Sequence, residues 1–178
     1  MKTNILTAIT VLCFLNISVA QNYKFGKVSK EELIQKQHPT DPTADAAILY
    51  RETHANFDYS SDSGFYMVTD VFERIKIYNK EGFDWTTKEI DLYQGSSGKD
   101  EISGLKAYTY YLGANDKIEE IKLKNEGIFE EKTNKYIHKV RFTMPDVKEG
   151  CIIEFKYTIK SPFISNIDEF RFQETNPV

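Results

Sequence analysis

The chain has 178 residues, 23 Lys and Arg against 27 Asp and Glu, a formal net charge of −4 and 13% aromatic residues. This acidic balance gives no electrostatic support to a nucleic-acid or anionic-membrane partner. The length suits a single hydrophobic core once an N-terminal leader is set aside.

That leader has three parts: the charged start Met1-Lys2, the apolar run Ile5 to Leu15, and the small residues Ser18-Val19-Ala20 before Gln21. The pattern is that of a secretory signal peptide over residues 1–20. It predicts cleavage after Ala20 and export to the periplasm or the extracellular surface. The run is shorter than the roughly 20 apolar residues a membrane helix needs. No later stretch approaches that length, so no transmembrane segment is expected in the mature chain. Cys13 lies inside the apolar run rather than just after it, which argues against a lipoprotein. It departs with the leader and leaves Cys151 alone, with no internal disulfide open to it.

In the mature chain, Ser29 followed by Glu32 is a capping box and predicts a short helix over Lys30 to Gln37, stopped before Pro39 and Pro42. Ala46 to Arg51 and Phe65 to Tyr78 read as strands, separated by the polar loop Tyr59 to Gly64. Asn79 to Gly82 has the residues of a tight turn, with Gly82 free to take a positive φ, and makes Trp85 to Tyr93 the expected hairpin partner of the preceding strand. Gly95 to Asp100 reads as a glycine- and serine-rich loop. Leu105 to Leu112 and Lys117 to Leu123 flank a turn at Ala114 to Asp116 and read as a second hairpin.

The clearest alternation comes late. Tyr136, His138, Val140, Phe142 and Met144 share one parity, and after the turn Pro145 to Gly150 so do Cys151, Ile153, Phe155, Tyr157 and Ile159. Strands with one apolar face each must bury it against another layer. The fold class expected is therefore all-β, a two-layer antiparallel β-sandwich with a short N-terminal helix over residues 21–178.

Candidate chemistry is sparse. Cys151 shares its parity with Ile153 and Phe155, which predicts a buried core thiol rather than a nucleophile. His38, His54 and His138 have no ligand spacing, although His38 and His54 flank Asp41 and Asp45. The carboxylates Asp70, Glu73, Glu119, Glu120, Glu130, Glu131 and Glu154 mostly alternate with lysines, the pattern of a solvated strand face. No phosphate loop, Gly-x-Ser-x-Gly elbow or Cys-x-x-Cys is present, so neither a catalytic set, a metal site nor a cofactor is expected. Trp85, Tyr93, Tyr108 and Tyr110 are the candidates for an aromatic binding surface toward a glycan or peptide, against the plainer reading that they fill the core.

Asp41 to Tyr50, Arg74 to Gly82, Leu105 to Tyr110, Phe142 to Tyr157 and Phe170 to Gln173, taken in that order, resemble segments of the DUF3857 family, an exported bacterial domain found upstream of transglutaminase-like domains. The resemblance implies a β-sandwich and a downstream transglutaminase-like domain with a Cys-His-Asp site as partner, this chain being truncated at its C-terminal end. It offers no catalytic residue to carry over. It points to a non-catalytic accessory domain serving packing or presentation of a substrate, the rival being a free-standing glycan- or peptide-binding module with a site on loops 58–64 and 95–104.

Overall fold

The computed structural model describes residues 23–96 and 98–165; the leader 1–20 and the Phe170 to Gln173 segment lie outside them. Helix α1 spans Lys30–Ile34. Ser29 Oγ accepts from Glu32 N at 3.2 Å while Glu32 Oε2 accepts from Ser29 N at 2.6 Å, so the capping box forms as expected. The helix is three residues shorter than its sequence suggests, because Gln35 turns to extended backbone and the carbonyl of Leu33 is taken by the Lys76 ammonium at 2.7 Å. Ser29→Ala is expected to lower stability by about 1 kcal/mol, measured by urea denaturation.

The strands are β1 (Ala46–Ser60), β2 (Gly64–Ile77), β3 (Thr87–Gly95), β4 (Gly98–Lys99), β5 (Glu101–Leu112), β6 (Ile118–Lys122), β7 (Ile128–Lys132), β8 (Ile137–Thr143) and β9 (Ile152–Ser161). Among the described residues they form two antiparallel sheets, a five-stranded one in the order β1-β2-β9-β5-β6 and a four-stranded one in the order β4-β3-β8-β7. The expected β-sandwich is present. Between the sheets lie Ala46, Ile48, Ile75, Ile77, Ile90, Leu92, Ala107, Val140, Phe142, Met144, Cys151, Ile153 and Phe155, and both late alternating runs contribute their apolar parity. They do so from opposite sheets: β8 and β9 are joined by a crossing connection in which Asp146 and Gly150 take positive φ (46° and 78°).

Two sequence expectations fail here. The 58–64 segment is mostly strand, since β1 and β2 stay paired to Ser60↔Gly64 around a tight turn, and Gly64 takes the positive φ of 71°. The 95–104 segment likewise contains β4 and the start of β5.

The second failure concerns residues 79–93. Lys80–Thr86 is a 3-10 helix, capped by Asn79 Oδ1 on Gly82 N, and Gly82 keeps an ordinary backbone conformation. A Cβ at Gly82 would sit 2.4 Å from the Asp45 carbonyl oxygen, so close approach and not a turn demands the glycine. The helical turn carries the chain across to the other sheet, where β3 pairs with β8 rather than with β2.

Candidate functional site

Period two gives the five-stranded sheet an outer face as well as the packed one. On β2 it presents Lys76, Arg74, Phe72 and Asp70; on β9, Ile152, Glu154, Lys156 and Thr158; on β5, Tyr110, Tyr108 and Lys106. The N-terminal segment from Tyr23 through α1 lies over half of this face, burying Leu33 against Tyr110 and Ile152, with Val28, Leu49 and Tyr108 at the margin.

Under that cover the charged residues are enclosed. Arg74 and Glu154 are 1% and 0% exposed and Glu32 is 7%. This corrects the reading of Glu154 as part of a solvated face; Glu73 is also buried. The N-terminal arm, Tyr23 through α1, is distant in sequence from Glu154 and supplies its burial, whereas Glu73 is buried between the sheets with Lys88 and Arg51. Arg74 Nη1 donates to Glu32 Oε1 at 2.9 Å, and its Nη2 and Nε donate to Glu154 Oε1 at 2.6 and 3.0 Å. The backbone completes the set: Gly26 N donates to Glu154 Oε2 at 2.8 Å, and Arg74 Nη2 reaches the Lys24 carbonyl at 2.9 Å. Tyr23 lies 5.2 Å from the guanidinium.

Burial acts to lower the Arg74 pKa, but hydrogen bonds and charge from Glu154 and then Glu32 outweigh it and raise it. Burial, with Glu154 beside it, pushes the Tyr110 hydroxyl up as well. A permanently charged arginine held between two satisfied carboxylates ties chain segments together. It is poorly suited to passing protons.

Lys76, 0% exposed, adds a second cation. Its ammonium donates to the Leu33 and Gly150 carbonyls at 2.7 and 2.6 Å, and burial brings its pKa down to about 8 against the opposing pull of Cys151 and Glu32. Cys151 is wholly buried, as its parity predicts, and burial raises its thiol pKa despite hydrogen bonding at Lys148 and the charge of Lys76. It is kept as a neutral thiol.

The uncovered half of the outer face is a groove of about 460 Å³ whose lining includes Glu52, His54, Asp70, Phe72, Lys106 and Lys156. Register places His54 directly opposite Asp70 and Lys106 directly opposite Lys156. Asp70 Oδ1 accepts from Thr158 Oγ1 at 2.6 Å. The other histidines lie apart: His38 bonds Thr40, and His138 bonds Gln94. Among the described residues no group of three His, Cys, Asp or Glu side chains is placed to hold a metal.

The four aromatic candidates do not form one surface. Trp85 packs on the core between the sheets, with Lys88 5.3 Å from its ring. Lys88 also pairs with Glu73 across the sheets at 3.0 Å, and Arg51 bonds the same carboxylate. Tyr108 and Tyr110 do meet, their ring centroids 6.0 Å apart, but on the outer face under the arm. Tyr93 instead stands with Tyr136 and Phe163 at another place on the molecule.

A more exposed aromatic cluster lies on the β1–β2 hairpin, where the segment 58–64 supplies Tyr59 and the candidate Tyr93 lies in the adjoining recess, while Phe57 and Phe65 were not among the candidates. Phe57, Tyr59 and Phe65 are 55%, 61% and 63% exposed, and register sets Phe57 opposite Met67 and Tyr59 opposite Phe65. Their parity is that of the packed face, but the four-stranded sheet does not cover them. Beside them Met67, Tyr93, Ile159, Phe163 and Ser165 line a recess of about 530 Å³. Strands longer than their neighbours were the available signal, hidden by the polar residues between Phe57 and Phe65.

Among the described residues no helix is long and apolar enough to cross a membrane. No family model and no curated protein matches the sequence. A crystal structure of a "putative protease" from Parabacteroides distasonis is similar over 66% of this chain and 23% of its own, at 10% identity and a TM-score of 0.49. The chain thus spans less than a quarter of that protein's length.

Proposed function

We propose that this chain is a non-catalytic accessory domain of an exported transglutaminase-like protein, serving to pack against the enzyme domain and to present substrate to it. The observation that carries this reading is the uncovered aromatic surface of Phe57, Tyr59 and Phe65. Aromatic side chains clustered in the open at the end of a sandwich suit a protein partner. The buried ionic set supports the same reading, because its groups are committed to one another and to the arm. The ordered segments that resemble DUF3857, and the leader, supply the enzyme partner and the export route.

The test is calorimetric titration of the chain with a transglutaminase-like domain encoded in the same genome. Saturable binding, weakened at least tenfold by Phe57→Ser with Phe65→Ser, is the expected result. No binding by the folded wild-type chain would overturn the reading. The alternative, a free-standing glycan- or peptide-binding module, draws on the open groove with its charged lining.

A further inference from the structure

The open half of the outer face is built with its charges sorted. Glu52, His54 and Asp70 lie on β1 and β2, whereas Lys106 and Lys156 lie on β5 and β9. Like charges directly opposite across a strand pair are unfavourable. Yet Lys106 and Lys156 stand so, and neither forms an ion pair among the described residues. Lys156 instead lies 4.8 Å from the ring of Phe25, which contacts Phe72 edge-on at a centroid distance of 5.6 Å. Register sets Phe72 between Glu52 on β1 and Lys156 on β9, in the groove lining. One irregularity borders the groove, the bulge between Ser103 and Lys106 on β5, where Gly104 takes a φ of 64°. Bulges sharpen local twist.

We infer that this groove binds the zwitterionic ends of a short peptide, its ammonium toward Glu52 and Asp70 and its carboxylate toward Lys106 and Lys156. The strands bearing the outermost charges, β1 and β5, are three spacings apart, about 14 Å. A three-residue extended chain covers about 10 Å, and the lysine side chains close the remainder. Neither the two lysines nor Glu52 and Asp70 have an ion-pair partner among the described residues, and the two ends of a peptide supply both counter-charges. The assignment rests on the substrate-presenting part of the accessory reading, and names what is presented.

The experiment records amide shifts of the isotope-labelled whole chain on titration with trialanine, with its N-acetyl and C-amide forms, with the doubly blocked peptide, and with chitotriose as a neutral glycan. Trialanine is expected to shift amides at Glu52–His54, Asp70–Phe72, Lys106 and Lys156–Thr158, with an affinity of about millimolar. Blocking either end is expected to weaken it about fivefold or more, and 0.5 M salt to do likewise. The Lys106→Ala, Lys156→Ala protein, checked for folding by circular dichroism, should lose discrimination against the C-amide while keeping discrimination against the N-acetyl form. Equal affinity for the doubly blocked peptide, an equal response to chitotriose, or no shift at about 10 mM peptide would overturn the assignment. Enzyme-domain binding is measured on the same samples: if it persists where peptide binding is absent, only the groove assignment falls. If the wild-type chain fails to bind the enzyme domain, the accessory reading itself falls.

Discussion

Arg74→Ala is expected to destabilise the fold by about 3–5 kcal/mol, because it leaves Glu32 and Glu154 as buried carboxylates without their cation. Both are enclosed, Glu154 at 0% exposure, and both are held by arm backbone at Ser29 and Gly26. The loss falls on the arm as well as on the sheet, since Arg74 also holds the Lys24 carbonyl. In urea, with a slope of about 2 kcal/mol/M for a domain of this size, the midpoint should fall by about 2 M. Neutralising the whole set is a different matter. Glu32→Gln, Arg74→Met and Glu154→Gln together retain acceptors for the Gly26 and Ser29 amides and leave no bare charge, so the triple variant should lie within about 1–2 kcal/mol of wild type. A single variant no weaker than the triple one would mean the ion set carries little of the arm's attachment.

The second large effect is a pH dependence set by Lys76. Its folded pKa is lowered to about 8 by burial, below the ordinary 10.5. Below about pH 8 the folded and unfolded chains both hold the proton, and the cost of burying the ammonium is fully present. Between about 8 and 10.5 the unfolded chain keeps the proton that the folded chain has released, so stability rises with pH. Relative to Lys76→Met, wild type should gain up to about 3 kcal/mol across that window. Tyr110, Tyr78 and Cys151 act in the opposite sense. Burial raises all three, Tyr78 to about 12, so the fold retains protons that the unfolded chain gives up at high pH. Comparing the two proteins at each pH, both in a Cys151→Ser background because Lys76 acts on that thiol, removes the shared contribution. A difference that stays flat from pH 7 to 10.5 would show that Lys76 remains charged in the fold.

The late strands were legible because their core residues obey one local rule. Val140, Phe142 and Met144, then Ile153 and Phe155, alternate toward the packed face without reference to anything distant. Glu154 obeys the same rule, but it shares its parity with Lys156 and Lys160 farther along the strand, a pattern that reads as a solvated face. What distinguishes it is the amide of Gly26, 128 residues away, and no period within β9 can signal that. Arg74-Ile75-Lys76-Ile77 reads as alternating only when one face is assumed wet, whereas β2 lies inside its sheet and this stretch is buried on both faces. The 3-10 turn at 80–86 was hidden for a related reason. Asn79 and Gly82 suit a tight turn, and only the Asp45 carbonyl against Gly82 shows which of two conformations the sequence serves. Of the four aromatic candidates, composition identified the residues but not their placement. The exposed cluster of Phe57, Tyr59 and Phe65 arises from unequal strand lengths, a property of the assembled sheets.

The most direct test of the division between a structural ion set and a binding surface is calorimetric titration of the Glu32→Gln, Arg74→Met, Glu154→Gln protein with the transglutaminase-like domain. The expected result is a folded chain with an affinity within about twofold of wild type, well below 1 kcal/mol, because the aromatic surface is untouched. A variant that folds with an unchanged urea midpoint yet no longer binds would place Arg74 and its carboxylates in the functional surface, and would contradict their assignment as a clasp for the arm.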